Sequence, residues 1–404
     1  NSLLGALGGG SPADAAAGGT LSITATNGAR IPADGFSSVS ASATASTASG
    51  GATADGGTIL FDANNGTLEF LDSMFVDANG VGNSNSDPNN PQRGRGTGGS
   101  VTFRVRGAGG VMTLEDVFAD ANGSVEFDIE GGGIEPVGEG GNGFGGQITF
   151  DLLDGTFTAD DLNLGSDGSG GPGGSAAFVV PDIAVAPFAG PSPSGLIPGG
   201  IVTAFALPVD PAARGGDGFG GTVVFNLDLG TGSAIVANLS VTANGFGGNG
   251  AVGDADLGLG AGDGGDGFGG TATFNAISGT LDVTNTLSVS AAGNDNLFSA
   301  QGGIGFGADG GNGGNGFGGD ATFNLDGTAT ITATDLIVDT TGYGGSGGDG
   351  RQSFSGTFDG GPGGNGGTGT GGNAVFNNNN GTLAFATLTV TAEGQGGQGG
   401  SNLG

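Results

Sequence analysis

The 404-residue sequence contains no cysteine, histidine, lysine or tryptophan, and a single tyrosine. Without cysteine there is no disulfide and no thiol nucleophile. Without histidine the common zinc and haem ligand sets and the Ser-His-Asp triad are excluded. Charge is sparse as well: charged residues make up 11%, against about 25% in an average soluble protein. The seven basic residues, all arginine, face 39 acids, for a formal net charge of −32. Such a balance opposes nucleic acid, whose affinity comes from cationic neutralisation of phosphates. It equally opposes docking on anionic lipid. No apolar run approaches the length of about 18 residues that a membrane-spanning helix needs, so membrane insertion is not expected. The chain begins at Asn1 with no cationic or long apolar leader, as expected of a processed or partial chain.

What is present is glycine, 100 residues of it, together with 26 phenylalanines. The phenylalanines reveal a repeat. GFGGTVVFN (218–226), GFGGTATFN (267–275), GFGGDATFN (316–324) and GTGGNAVFN (369–377) are close copies. GFGGQITFD (143–151), GTGGSVTFR (96–104) and DGGTILFD (55–62) are looser ones. The aligned residues are Phe61, Phe103, Phe150, Phe225, Phe274, Phe323 and Phe376, at successive spacings of 42, 47, 75, 49, 49 and 53. The period is near 49, with one interval lengthened by a proline-rich insertion or degenerate coil near 170–214. Residues 1–50 read as an N-terminal cap or a degenerate first coil, and 51–404 as the repeat solenoid.

Each unit has two halves. The first alternates with a period of two, as in Leu281, Val283, Leu287 and Val289, and is rich in threonine and valine between Gly, Asn and Asp. Three short strands per unit, in parallel register, fit one coil of an all-β parallel β-solenoid. Coils about 4.8 Å apart place each residue over its counterpart. The seven phenylalanines are then an internal core ladder. Asn226, Asn275, Asn324 and Asn377 follow it at a corner, where asparagine tolerates the left-handed conformation and can form an amide ladder. The second half is an arm of Gly-Gly-X triplets, for example 260–270, 310–319 and 360–369. Polyproline II turns once per three residues, so such triplets would show X on one side and glycine on the other two. The phenylalanine recurring in GFGG (Phe144, Phe219, Phe268, Phe317) favours ordered arms.

The pattern GG-x-hydrophobic-Thr-Phe-Asn, then Gly-Thr-Leu, then Leu-Ser-Val-Ser-Ala resembles the repeats of haemagglutinin-like bacterial exoproteins, of the two-partner-secretion adhesin or autotransporter passenger type. The resemblance spans the coil halves from about 51 to 404. It implies a right-handed β-helix, secretion, and a role in adhesion or surface fibres. The glycine-rich arm in every unit departs from that family, and its N-terminal secretion module is missing.

Candidate sites are few. Asp263, Asp266 and Asp217 offer hard oxygen ligands in a stretch that partly resembles calcium-binding nonapeptide repeats, so a calcium-stabilised module is one alternative. The equivalent positions one unit on, Asn312 and Asn315, and then Pro362 and Asn365, argue against a charge-dependent site. Catalytic carboxylate pairs such as Asp160/Asp161 or Glu115/Asp116 are discounted, because neighbours on a strand point to opposite faces. No catalytic residue and no cofactor is assigned, and an enzyme is not expected. Thr328, Thr330, Thr332 and Thr334 would form an outward ladder, the basis of a second alternative, a glycan- or ice-binding surface. Arg93, Arg95, Arg104 and Arg106 form the basic cluster, expected to pair with acids on a neighbouring coil or subunit. The leading expectation is an extracellular or cell-surface structural or adhesive protein, a stiff rod or fibre that self-associates and contacts a surface glycan or a host or abiotic surface.

Overall fold

The computed structural model describes residues 2–5, 8–9, 15–45, 51–84, 94–127, 139–173, 213–255, 260–294, 300–353, 355–356 and 358–403. Strands make up nearly all of their regular structure, with no α-helix among them. Strands from successive units pair in parallel into an 18-stranded sheet that wraps three sides of the core, with smaller sheets of 8, 6, 4 and 2 strands alongside. The arrangement fits a β-solenoid.

The first side holds the phenylalanine strands. Thr58–Asn64 pairs with Ser100–Arg106, placing Phe61 against Phe103. The pairing continues through Phe150, Phe225, Phe274, Phe323 and Phe376. Below, Thr20–Thr26 adds Ile23 beneath Phe61, so part of the stretch 1–50 forms a paired rung. The second side is built of strands such as Thr67–Phe70 and Val111–Leu114, and the third of strands such as Met74–Asp77 and Val117–Asp120. Three separate short strands were expected in every unit. In later units the second and third sides run together, as in Thr156–Gly165 and Thr330–Asp339, and Thr271–Ser290 covers all three. The burial alternation still slips by one at Asp160/Asp161 and at Thr334/Asp335, marking where the chain turns from one side to the next.

The turn between the first two sides needs left-handed backbone. Asn65 (φ 51°), Asn380 (φ 70°) and Gly279 (φ +90°) supply it, and these are residue types that reach that region cheaply. Asn226, Asn275, Asn324 and Asn377 do not. They lie inside strands with ordinary φ, so the expected corner position is corrected: the turn comes a few residues later.

Inward-facing residues are the alternate members of each strand. Phe61, Phe103, Phe150, Phe225, Phe274 and Phe323 are all fully buried, as are Leu281, Val283, Leu287 and Val289. Ring centroids along the ladder lie 4.8 to 5.3 Å apart, with the planes within 11° of parallel except at Phe103–Phe150, tilted by 25°. Register alone enforces this spacing, because in-register parallel strands carry identical side chains at the strand separation. Burial of each ring contributes about 1.5–3 kcal/mol, which a lone rung could not collect.

The proline-rich stretch near 170–214 lies mostly outside the described residues. On either side of it Gly143 pairs directly with Gly218, and Phe150 with Phe225, so no rung is interposed there.

The arms are ordered and make a layered backbone network. From Gly310 to Gly316 the amide hydrogens follow a three-residue rhythm. Gly310, Gly313 and Gly316 donate to carbonyls of the next arm along the stack, those of Pro362, Asn365 and Thr368 (2.8–2.9 Å). Gly311 and Gly314 donate sideways to Gly303 and Ala300 (2.9 and 2.8 Å). Asn312 and Asn315 donate down to the side-chain oxygens of Asp263 and Asp266 (2.7 Å each). Every amide of the segment is paired, as buried backbone requires. Glycine is needed because the arms approach backbone to backbone: a β-carbon on Gly314 would overlap the Gly265 carbonyl oxygen.

Candidate functional site

The chemistry-bearing side chains are arranged in columns parallel to the stacking axis. The column beside the buried rings reads Asp62, Arg104, Asp151, Asn226, Asn275, Asn324, Asn377. In its upper half the amides form a ladder. Asn226 Nδ2 donates to Asp151 Oδ1 (2.9 Å), Asn275 to Asn226 (3.0 Å), Asn324 to Asn275 (2.9 Å) and Asn377 to Asn324 (2.9 Å). In its lower half the charges alternate. Arg104 lies 3.6 Å from Asp151, and Arg106 pairs with Asp62 at 2.6 Å. Arg95 sits over the ring of Phe144 at 4.8 Å. The basic cluster therefore meets acids and an aromatic ring of neighbouring rungs, while Arg93 lies outside the described residues. The half-buried Phe144, Phe219, Phe268 and Phe317 make a second aromatic column, with centroids 4.8–4.9 Å apart.

The calcium candidates belong to the arm columns. Asp217 Oδ1 accepts the amide of Asp266 (2.8 Å), Asp263 that of Asn312, and Asp266 that of Asn315. Arg214 bridges Asp217 (2.8 Å) and Asp266 (2.9 Å). The register corrects the equivalences drawn from sequence. Asn312 is followed by Asn365 (3.0 Å) and Asn315 by Thr368 (2.9 Å), whereas Pro362 accepts the amide of Gly310 and so falls one triplet earlier. The same device recurs in Asn79, Asn122, Asp167 and Asn244, each of which accepts the amide above it at 2.7–2.8 Å. Aspartate and asparagine interchange at these positions because both present Oδ1 at the same reach. This acceptor role was missed in the sequence, although the interchange itself was its signal. At Asp349 the Ser401 amide, with Arg351 beside it, holds the carboxyl below its usual range.

Among the described residues no group of three or more acids is close enough to hold a metal ion. With the Oδ1 of each candidate already accepting a backbone amide, and no third described acid beside them, calcium or a chelator is expected to leave the denaturation midpoint unchanged. A gain of about 2.7 kcal/mol, as at 100 times a dissociation constant, would reveal a site.

The threonine row does not form a continuous ladder. Thr330 stacks between Thr280 and Thr382, but Thr332 lies between Asp282, to which it donates a hydrogen bond, and Ala384; Thr328 is in a turn. The acid pairs are also placed differently from expectation. Glu115/Asp116 and Asp160/Asp161 sit at the corner between the second and third sides, so both members of each pair face outward.

One acidic column has unusual electrostatics. Asp77 and Asp120 are direct neighbours in adjacent rungs, both partly buried. Burial and then the charge of Asp77 push the Asp120 carboxyl up to about 6, against a smaller opposing hydrogen bond from Asn122. Burial alone raises Asp77. The folded state thus favours the proton that the unfolded chain releases near the ordinary 3.8. The resulting stabilisation is complete below about pH 4 and is lost as the pH rises through about 6. Asp120→Asn is expected to abolish this step and to raise stability at pH 7.5 by on the order of 2 kcal/mol. Denaturant midpoints between pH 4 and 8 would test it; an unchanged pH dependence would contradict it.

No family model, curated protein or solved structure matches the chain.

Proposed function

We propose that the chain is a structural or adhesive element that works outside a bacterial cell as part of a stiff rod or fibre. The observation that carries this reading is the unbroken register from Ile23 to Phe376, in which each rung roofs the one below. We also read the finer architecture as a right-handed β-helix of about 49 residues per rung with polyproline-II arms. Its support is the 49-residue separation of hydrogen-bonded asparagines and the three-residue rhythm of the arm amides. The likeness of the repeat to haemagglutinin-like exoproteins rests on the sequence pattern and supports the same setting.

Dimensions favour a fibre over an isolated rod. Seven rung-to-rung steps of about 4.8 Å span roughly 34 Å. An arm of ten residues such as 310–319, at about 3.1 Å each, reaches nearly as far sideways. Only further rungs make such a block long. The last rung leaves Phe385, Leu388 and Val390 exposed, whereas their counterparts Ala333, Leu336 and Val338 are buried. A further rung, from a second copy or from the same polypeptide, would cover them and pair the open edge. Electron microscopy of the protein released from cells tests the reading. Filaments with an axial repeat near 4.8 Å are expected, and dispersed blocks with no axial stacking would overturn it.

A further inference from the structure

Near the N-terminal end, the third side carries an aromatic column on its outside. Phe75 and Phe118 are in direct register with ring centroids 5.1 Å apart, and Phe36 lies 5.3 Å from Phe75. Phe36 and Phe75 are 45% and 37% exposed, and Leu71, at the adjoining corner, is 48% exposed. The fold does not require rings at this position. The same column holds Ser38 one rung below Phe75, and Asn163, Ser240 and Ser288 in the rungs above Phe118. Exposed aromatic surface costs solubility and contributes little to the core, so its confinement to a few rungs points to something that covers it.

An acidic ridge runs beside the column. Glu115 and Asp160 follow one another along the corner, and Asp116 and Asp161 occupy the next position, two residues or about 7 Å from the Phe118 column. Asp72 continues the ridge in the rung below. The ion pairs among the described residues all lie elsewhere. Higher up, the ridge gives way to Asn238 and Thr286, just as the rings give way to serine. Ring and acid thus lie side by side in consecutive rungs at this end only; above Thr286 the acid Asp335 returns alone, beside Ile337 and no ring.

We infer that this patch docks a cationic amphipathic segment of a different protein, whose apolar side chains cover the rings while its basic side chains lie along the ridge. A second copy of this chain is a poor occupant. It has no lysine, and its described arginines are engaged by its own acids or, for Arg95, by Phe144. An amphipathic helix laid along the column matches its spacing, since a helical turn of about 5.4 Å is close to the rung separation of about 4.8 Å. The inference does not depend on whether the rungs continue into a fibre.

The test compares two synthetic peptides on the full chain at 0.15 M salt, which screens diffuse attraction to the acidic surface. One is an amphipathic helical peptide of leucine and lysine; the other keeps every lysine and replaces each leucine by serine. The leucine peptide is expected to bind at least about tenfold more tightly, a difference of about 1.4 kcal/mol. The double variant Phe75→Ser, Phe118→Asn should bind both equally. Each substitution copies the residue found in the same column one rung away, and circular dichroism melting checks that the variant folds. Equal binding to the unaltered chain, or a preference that survives in the variant, would overturn the inference. So would a change in the sedimentation of the protein alone on substitution, which would show that a second copy covers the patch.

Discussion

Phe274→Ala is expected to destabilise the protein by about 3–5 kcal/mol. Phe274 is fully buried between Phe225 and Phe323, at 5.2 and 5.0 Å, so truncation removes the packing of one ring and both stacking faces. The gap cannot close by collapse, because Phe225 and Phe323 are held in place by the backbone ladders of their own rungs. In a stack where each rung touches only its neighbours, the loss should be local. Amide exchange should accelerate most in 222–242, 271–290 and 320–326 and leave 58–64 unchanged. Phe376→Ala is the comparison. Phe376 is stacked on one side only, so its cost should be clearly smaller.

Gly314→Ala is expected to cost about 3 kcal/mol, although it adds one methyl group. The new β-carbon would overlap the Gly265 carbonyl oxygen, part of the backbone of the arm below. Relief by shifting the arm breaks the bonds from the Gly314 amide to Ala300 and from the Gly345 amide to Gly314, both 2.8 Å. Gly260→Ala is the matched control, since nothing lies within 4 Å of its added carbon. Alanine there should be neutral or slightly stabilising through reduced freedom of the unfolded chain. If both substitutions behave like Gly260→Ala in denaturant unfolding, the close packing of the arms is wrong.

The strongest periodic signals in the sequence translate directly into geometry. The phenylalanine spacing gave the first-side register, including the jump of 75 residues across the insertion, because a buried ring can only be replaced by itself or by a smaller apolar residue such as Ile23. The amide ladder was legible for the same reason, since identical residues recur beside identical rings. Its corner position was not: phenylalanine fixes which residues stack, but the number of residues before the chain turns depends on glycines such as Gly279, beyond the aligned motif. The arm register failed at the last unit because triplets look alike when shifted by three. The side-chain contacts of Asn312 with Asn365, and of Asn315 with Thr368, break the tie. The paired columns of Asp77 with Asp120, and of Phe75 with Phe118, were invisible, since each arises from two adjacent rungs and does not repeat.

Hydrogen–deuterium exchange of the glycine-rich segments 260–270, 310–319 and 344–350 tests the central claim most directly. These sequences would exchange within seconds as random coil. If the arms join the rungs in one hydrogen-bonded stack, the amides of Gly264, Gly265, Gly313, Gly314 and Gly345 should be protected as strongly as those of strands 271–290 and 330–339. Exchange of the arms at random-coil rates, with protection confined to the strands, would contradict the account.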